Sequence, residues 1–202
     1  MVGVFISSEM SGTYSSAHLA KAMIIEKYPD AVIEIVDSKS NCMQLGYVTL
    51  AAAEEAFNGG SMEEVLSAAY NVIQKSRFLF VPDTLEYLKK GGRIGGAAAL
   101  IGMIFQIRPV LTVFEGKTSI LDKVRTKKKA IDRIVEIFIE DVKKKGLEKI
   151  IVHNIDCEEE GIELSRRIEK LIGVKAEIYP IGPVIGLHTG PGAIGIVYYT
   201  KN

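Results

Sequence analysis

Tryptophan is absent from the 202-residue chain, histidine occurs three times and cysteine twice. Cys42 and Cys157 stand far apart, with no Cys-x-x-Cys pair. A disulfide framework and a cysteine zinc site are therefore not expected, and the reading is of a reducing cytoplasm. Net charge is also missing. Twenty-five basic residues balance twenty-five acidic ones, so nothing global attracts nucleic acid or an anionic membrane. No apolar run approaches the roughly 18 residues of a membrane span. The start, Met1-Val2-Gly3-Val4-Phe5-Ile6, lacks the basic flank of a signal peptide. No phosphate-binding loop of the G-x-x-x-x-G-K-[ST] type occurs. Low complexity is excluded too, since glycine and proline together make 25 residues while apolar types make 48%.

What is present alternates between strand and helix patterns. Residues 2–6, 31–36 and 78–81 are short β-branched or aromatic runs. Residues 15–28, 44–57 and 61–75 between them have helical composition, and Ser61 with Glu64 forms a capping box. Such alternation favours parallel pairing, because a parallel crossover needs room for a helix. After Pro82 the texture changes. Helical patterns are expected at residues 83–90, 127–145 and 158–172. Strands are expected at 149–153 and 175–179, with a hairpin about Glu115-Gly116-Lys117. The expected fold is α/β in two domains. Residues 1–80 are the remainder of a parallel domain. Residues 81–202 form a mixed-sheet domain whose last segments can return to the domain interface.

Four segments carry candidate chemistry. Ser7, Ser8, Ser11, Gly12 and Thr13 lie where a strand passes into a helix. Open parallel sheets bind ligands beyond the carboxyl ends of their strands, and a helix N-terminus offers free N–H groups to a carboxylate or phosphate. The plainer reading is that Ser11 or Thr13 only caps the helix. Gly190-Pro191-Gly192-Ala193-Ile194-Gly195 spells G-x-G-x-x-G, but seven residues follow it, too few for a dinucleotide-binding unit. His188 sits among glycines, which suits a proton donor better than a packing residue. Residues 123–129 hold five cations in seven positions, without the interleaved aromatics of a nucleic-acid surface. They read as a solvated helix start or as a docking patch for an acidic protein. Charge is segregated, with net −6 over residues 30–64 and net +4 over 121–149.

In chain order, five blocks resemble the DegV family of fatty-acid-binding proteins. They are Ile6-Ser7-Ser8 with Ser11-Gly12-Thr13-Tyr14-Ser15-Ser16-Ala17, Val36-Asp37-Ser38-Lys39-Ser40, Asp83-Thr84-Leu85-Glu86-Tyr87-Leu88-Lys89-Lys90-Gly91-Gly92-Arg93-Ile94, Lys123-Val124-Arg125-Thr126-Lys127-Lys128-Lys129-Ala130 and Gly182-Pro183-Val184-Ile185-Gly186-Leu187-His188-Thr189-Gly190-Pro191-Gly192-Ala193. The resemblance implies a carrier and not an enzyme, with a long-chain fatty acid as ligand and no other cofactor or metal. It implies an apolar tunnel between domains for the tail and a separate fatty-acid kinase as partner. The carboxylate-binding serine falls on Ser7 or Ser8, and the family's histidine near the head group on His188. Ser11, Gly12, Thr13 and Arg93 are expected to support the head group, Arg93 alternatively facing the kinase. Family members also carry an earlier Asp-Ser-(Ser/Thr)-Ala-Asp motif and a Thr-Ser-Gln segment, whose threonine shares the carboxylate. Neither occurs here. The chain is thus expected to lack one head-group ligand and part of the tunnel wall, and to self-associate through the edge left open. The alternatives are a subunit of the dihydroxyacetone-kinase type, with His188 binding substrate, and a fragment that no longer binds ligand.

Overall fold

The computed structural model describes residues 1–100 and 107–202. The chain divides into two compact units. One is Met1–Gln74 with Glu115–Lys117, the other Lys75–Phe114 with Thr118–Asn202.

The first unit contains β1 (Val2–Phe5), α1 (Thr13–Lys27), β2 (Glu34–Asp37), α2 (Cys42–Phe57) and α3 (Met62–Lys75). β1 and β2 pair in parallel, Val2 opposite Glu34 and Phe5 opposite Asp37, with α1 as the crossover. Two parallel strands end together, so the turn after β1 and the turn after β2 lie side by side. Ser7 N–H donates to Ser40 O at 2.8 Å across them. α2 buries Gln44, Tyr47, Val48 and Ala52, and α3 buries Val65, Ala69 and Val72, each set one helical face. The capping box forms as the spacing predicts. Ser61 N donates to Glu64 Oε2 at 2.7 Å, and Glu64 N to Ser61 Oγ at 3.3 Å. α1 buries no residue, and Leu19 and Met23 are 65% and 64% exposed.

The second unit is built on six strands: β3 (Ser76–Val81), β4 (Arg108–Phe114), β5 (Lys117–Val124), β6 (Leu147–Asn154), β7 (Glu177–Pro180) and β8 (Ile194–Thr200). Their order is β5-β4-β3-β8-β6-β7. β6 and β7 are parallel, whereas β3 is antiparallel to both β4 and β8, and β8 to β6. The sheet is mixed, as the sequence predicts. β3 corrects one detail, since the sequence reads it as continuing the first, parallel region. A short run that is buried throughout carries no trace of the strand it will pair with. Glu115 and Gly116 both have positive φ (49° and 81°), the requirement of a tight hairpin turn between β4 and β5.

α5 (Lys127–Lys145) and α6 (Glu158–Ile172) supply Ile134, Phe138, Leu164 and Ile168 to a core shared with Leu79, Val81, Val110, Ile194, Ile196 and Tyr198. Thr126 caps α5 by accepting from Lys129 N at 3.2 Å. Within this core the fully buried Tyr198 donates its hydroxyl to Asp141 Oδ2 at 2.6 Å, and Arg77 Nη1 lies 2.7 Å from the same oxygen. Two short helices complete the unit, α4 (Glu86–Lys90) and α7 (Pro183–Thr189). α4 begins three residues later than the pattern predicts, because Thr84 Oγ1 accepts from Glu86 N and holds the preceding residues in a turn. Residues 95–100 form a 3-10 turn, and the rest of the small apolar stretch at 101–106 lies outside the described residues.

Candidate functional site

The turn after β1 is a net of hydroxyls. Ser7 is fully buried. Its Oγ donates to Gly116 O at 2.8 Å and accepts from Glu9 N at 3.2 Å. Gly116 is required there twice over: φ is +81°, and a Cβ would lie 2.5 Å from Ser7 Oγ. Ser8 is half-buried and donates to Asp37 Oδ2 at 2.6 Å, with its N–H 3.3 Å from Asp37 Oδ1. Lys39 Nζ lies 3.0 Å from Asp37. Burial alone would raise the Asp37 carboxyl. The Ser8 hydroxyl, the Lys39 amide and the Lys39 ammonium outweigh it and hold the group below its ordinary range. Each serine hydroxyl has one proton to give, and in this state each gives it to the protein.

Further along, Ser11 Oγ and Thr13 Oγ1 share a hydrogen bond at 3.1 Å, and Ser11 Oγ accepts from Thr13 N at 3.3 Å. Only one of the two hydroxyl protons serves that bond. The N-cap of α1 is Gly12, which has no side chain to cap with. No acidic residue occupies the first turn of α1, so nothing on the helix itself neutralises its positive end. The turn after β2 adds Asn41, nearly fully buried. Its Nδ2 donates to Met10 Sδ at 3.1 Å, while Oδ1 has no partner among the described residues. Ser7, Ser8, Ser11, Gly12 and Thr13 therefore share one turn. Asp37, Asn41 and Gly116 join it, and sequence reasoning assigned none of them a role. Asp37 had a signal, as the end of a strand parallel to β1. Gly116 had only its place in a hairpin.

The other two candidates belong to the second unit. Arg93 is exposed, with Nη1 donating to Gly91 O at 2.8 Å, and its own carbonyl accepts from Thr118 Oγ1 at 2.9 Å. His188 lies on α7, not in a turn. Pro183 starts that helix at a position where a missing N–H costs nothing, and Gly190 ends it. The imidazole packs against Gly91, and Nδ1 is buried without a hydrogen-bond partner among the described residues. His153 is a core residue. Burial lowers its pKa, and Nδ1 lies 2.9 Å from Tyr179 O. In the basic run, Lys127 pairs with Glu160 at 2.7 Å. Among the described residues no group of His, Cys, Asp or Glu is placed to hold a metal ion, and no helix is long and apolar enough to cross a membrane.

The family model described as "Uncharacterised protein, DegV family" matches residues 1–201. The chain belongs to the DegV family. A DegV domain-containing protein of Clostridium acetobutylicum is 58% identical over 198 residues, which span 98% of this chain and 70% of that protein. Protein DegV of Bacillus subtilis is 35% identical over 206 residues, 100% of this chain and 71% of its own. Among solved structures, a stearic acid-binding protein from Eubacterium ventriosum superposes with a TM-score of 0.89 at 29% identity, over 99% of this chain and 70% of the other. A DegV family protein from Thermus thermophilus, described by its fatty-acid binding, gives 0.85 at 31% identity over 98% and 70%. The α/β architecture of one parallel and one mixed sheet is thus a DegV fold.

Proposed function

We propose that this chain binds one long-chain fatty acid, with the carboxylate at the turn after β1 and the tail in an apolar tunnel. One observation carries the reading. The turn gathers hydroxyl and amide donors at the N-terminus of a 15-residue helix whose first turn holds no acidic residue, in a chain that superposes almost entirely on a stearic acid-binding protein. A carboxylate is the anion such a set suits, because hydrogen bonds to a charged acceptor are about twice as strong as neutral ones. Of the two serines, Ser8 is the one a ligand reaches. Ser7 is out of solvent contact and bound to the Gly116 carbonyl. Ser8 turns to the ligand by releasing Asp37, which keeps Lys39 as its counter-charge. Ser11, Thr13 and the Gly12 amide support the same anion.

The chain acts as a carrier. It offers the bound acid to a kinase that makes the acyl phosphate, with Arg93 and the basic run at residues 123–129 as the kinase-facing groups. The dihydroxyacetone-kinase alternative needs His188 to hold a small carbonyl substrate. Lipid extraction from purified protein, followed by mass spectrometry, separates the two. One equivalent of a long-chain acid supports the carrier. Absence of lipid, with no uptake of stearate by the delipidated protein, refutes it.

A further inference from the structure

Asn41 stands at the N-cap of α2 in extended backbone, φ −146° and ψ −172°, the conformation from which an asparagine side chain ordinarily caps a helix. Its side chain makes no capping hydrogen bond. The amide reaches instead across to the turn after β1, where Nδ2 donates to Met10 Sδ at 3.1 Å. That bond fixes which way the amide faces. A thioether sulfur accepts weakly and cannot donate, so the NH2 end is the one turned to it. The oxygen end is left over. Asn41 is 8% exposed, and Oδ1 is buried with no partner among the described residues. A bare buried carbonyl is costly, and an apolar side chain of the same shape would cost less at this position. What Oδ1 lacks is a hydrogen-bond donor.

The amide borders the hydroxyl turn. Ser7 N–H donates to Ser40 O at 2.8 Å, so Ser8 and Asn41 each follow one end of that bond. Met10, whose N–H donates to Ser7 O at 2.9 Å, folds back between them. All of these residues belong to the first unit. An ionised straight-chain acid offers Oδ1 nothing, because its carboxylate only accepts and its tail has no polar hydrogen. A hydroxyl is the smallest group that supplies a donor and leaves the ligand a fatty acid.

We propose that Asn41 is a specificity-determining residue, and that the preferred ligand is a long-chain fatty acid with a hydroxyl at carbon 2 or 3, whose O–H donates to Asn41 Oδ1. The proposal rests on the fatty-acid reading of the same turn. Ser8 reads the carboxylate and Asn41 the hydroxyl beside it. Met10 is half-buried, and its unbranched side chain with three rotatable bonds yields to the incoming group.

Calorimetric titration of the delipidated chain with stearate and with 2-, 3- and 12-hydroxystearate tests it. The parent should bind the 2- or the 3-hydroxy acid about 5- to 150-fold more tightly than stearate, the gain from pairing one bare buried acceptor. 12-Hydroxystearate, with its hydroxyl far from the head group, should gain nothing. In Asn41→Leu, which keeps the size of the side chain without its polar atoms, the ratio of hydroxy-acid to stearate affinity should fall to within twofold of one. In Ser8→Ala both acids should weaken by the same factor, so the ratio stays. Ligand-free Asn41→Leu should melt no lower than the parent, because the amide it removes caps nothing. Equal binding of all four acids by the parent, the result if a water satisfies Oδ1, overturns the proposal. So does a preference that survives in Asn41→Leu, or a lower melting temperature with equal weakening of every acid, which marks a structural role. If Asn41→Leu fails to fold, Asn41→Ser takes its place with the same expected loss of preference. Stearate bound without a hydroxyl preference refutes this proposal alone, whereas no binding of any of the four acids refutes the fatty-acid reading and this proposal with it.

Discussion

Tyr198→Phe removes one atom from the centre of the second unit. The phenol oxygen donates to Asp141 at 2.6 Å from a fully buried ring that meets Phe138 edge to face at 5.0 Å. Phenylalanine keeps that ring contact, so the change isolates the hydrogen bond. Burial raises the Tyr198 phenol, which stays a donor at all working pH values. A hydrogen bond to a charged acceptor is worth about 1.5–3 kcal/mol. At about 2–4 °C per kcal/mol for a chain near 200 residues, the melting temperature should fall by roughly 3–12 °C.

The loss has a pH signature. Burial raises the Asp141 carboxyl, but Tyr198 and Arg77 together bring it below its ordinary value of 3.8. A carboxyl depressed on folding stabilises the protein above its unfolded pKa, and that stability is lost as pH falls through the folded value. Without the hydroxyl the folded value moves up, so the parent's advantage should be full at pH 7 and shrink toward pH 3. Calorimetric scans of both proteins from pH 3 to 7 measure it. An unchanged melting temperature, or the same deficit at pH 3 as at pH 7, refutes the reasoning.

The two serines should separate. Ser7→Ala leaves the Gly116 carbonyl unpaired and should cost about 1–3 kcal/mol of stability, read by urea denaturation. Ser8→Ala should instead lower stearate affinity roughly 10- to 150-fold by calorimetry, the equivalent of one charge-assisted hydrogen bond. Charge reversal at Lys128 and Lys129 should abolish acyl phosphate formation with a fatty-acid kinase while bound lipid, measured by mass spectrometry, stays constant. Among the described residues β1 pairs on one side only, and it carries no charged side chain to guard the other. Sedimentation velocity should therefore show mass rising with protein concentration, and a single monomeric boundary throughout would count against it.

The helices were legible where caps and stripes agree. Thr126 and the stripe of Ile134 and Phe138 place α5 at Lys127–Lys145, and the Ser61–Glu64 pair opens α3. The partners of β3 were not legible, because a run such as Phe78-Leu79-Phe80-Val81 is apolar on both faces and fits any central position. The hydroxyl turn was visible as composition at a strand end. Its bonding was not, because which hydroxyl is already engaged depends on Gly116, 109 residues from Ser7. His188 looked like a residue in a loose turn. Its seat on Gly91 joins positions 97 apart in sequence, and only packing reveals that.

Binding of stearate to the delipidated chain is the measurement closest to the central claim. Calorimetry should give one site per chain, with a negative heat-capacity change from burial of the acyl tail. The same titration on Ser8→Ala should show weaker binding of the same stoichiometry. No saturable heat in the parent, together with no long-chain acid extracted from the protein as purified, would contradict the account.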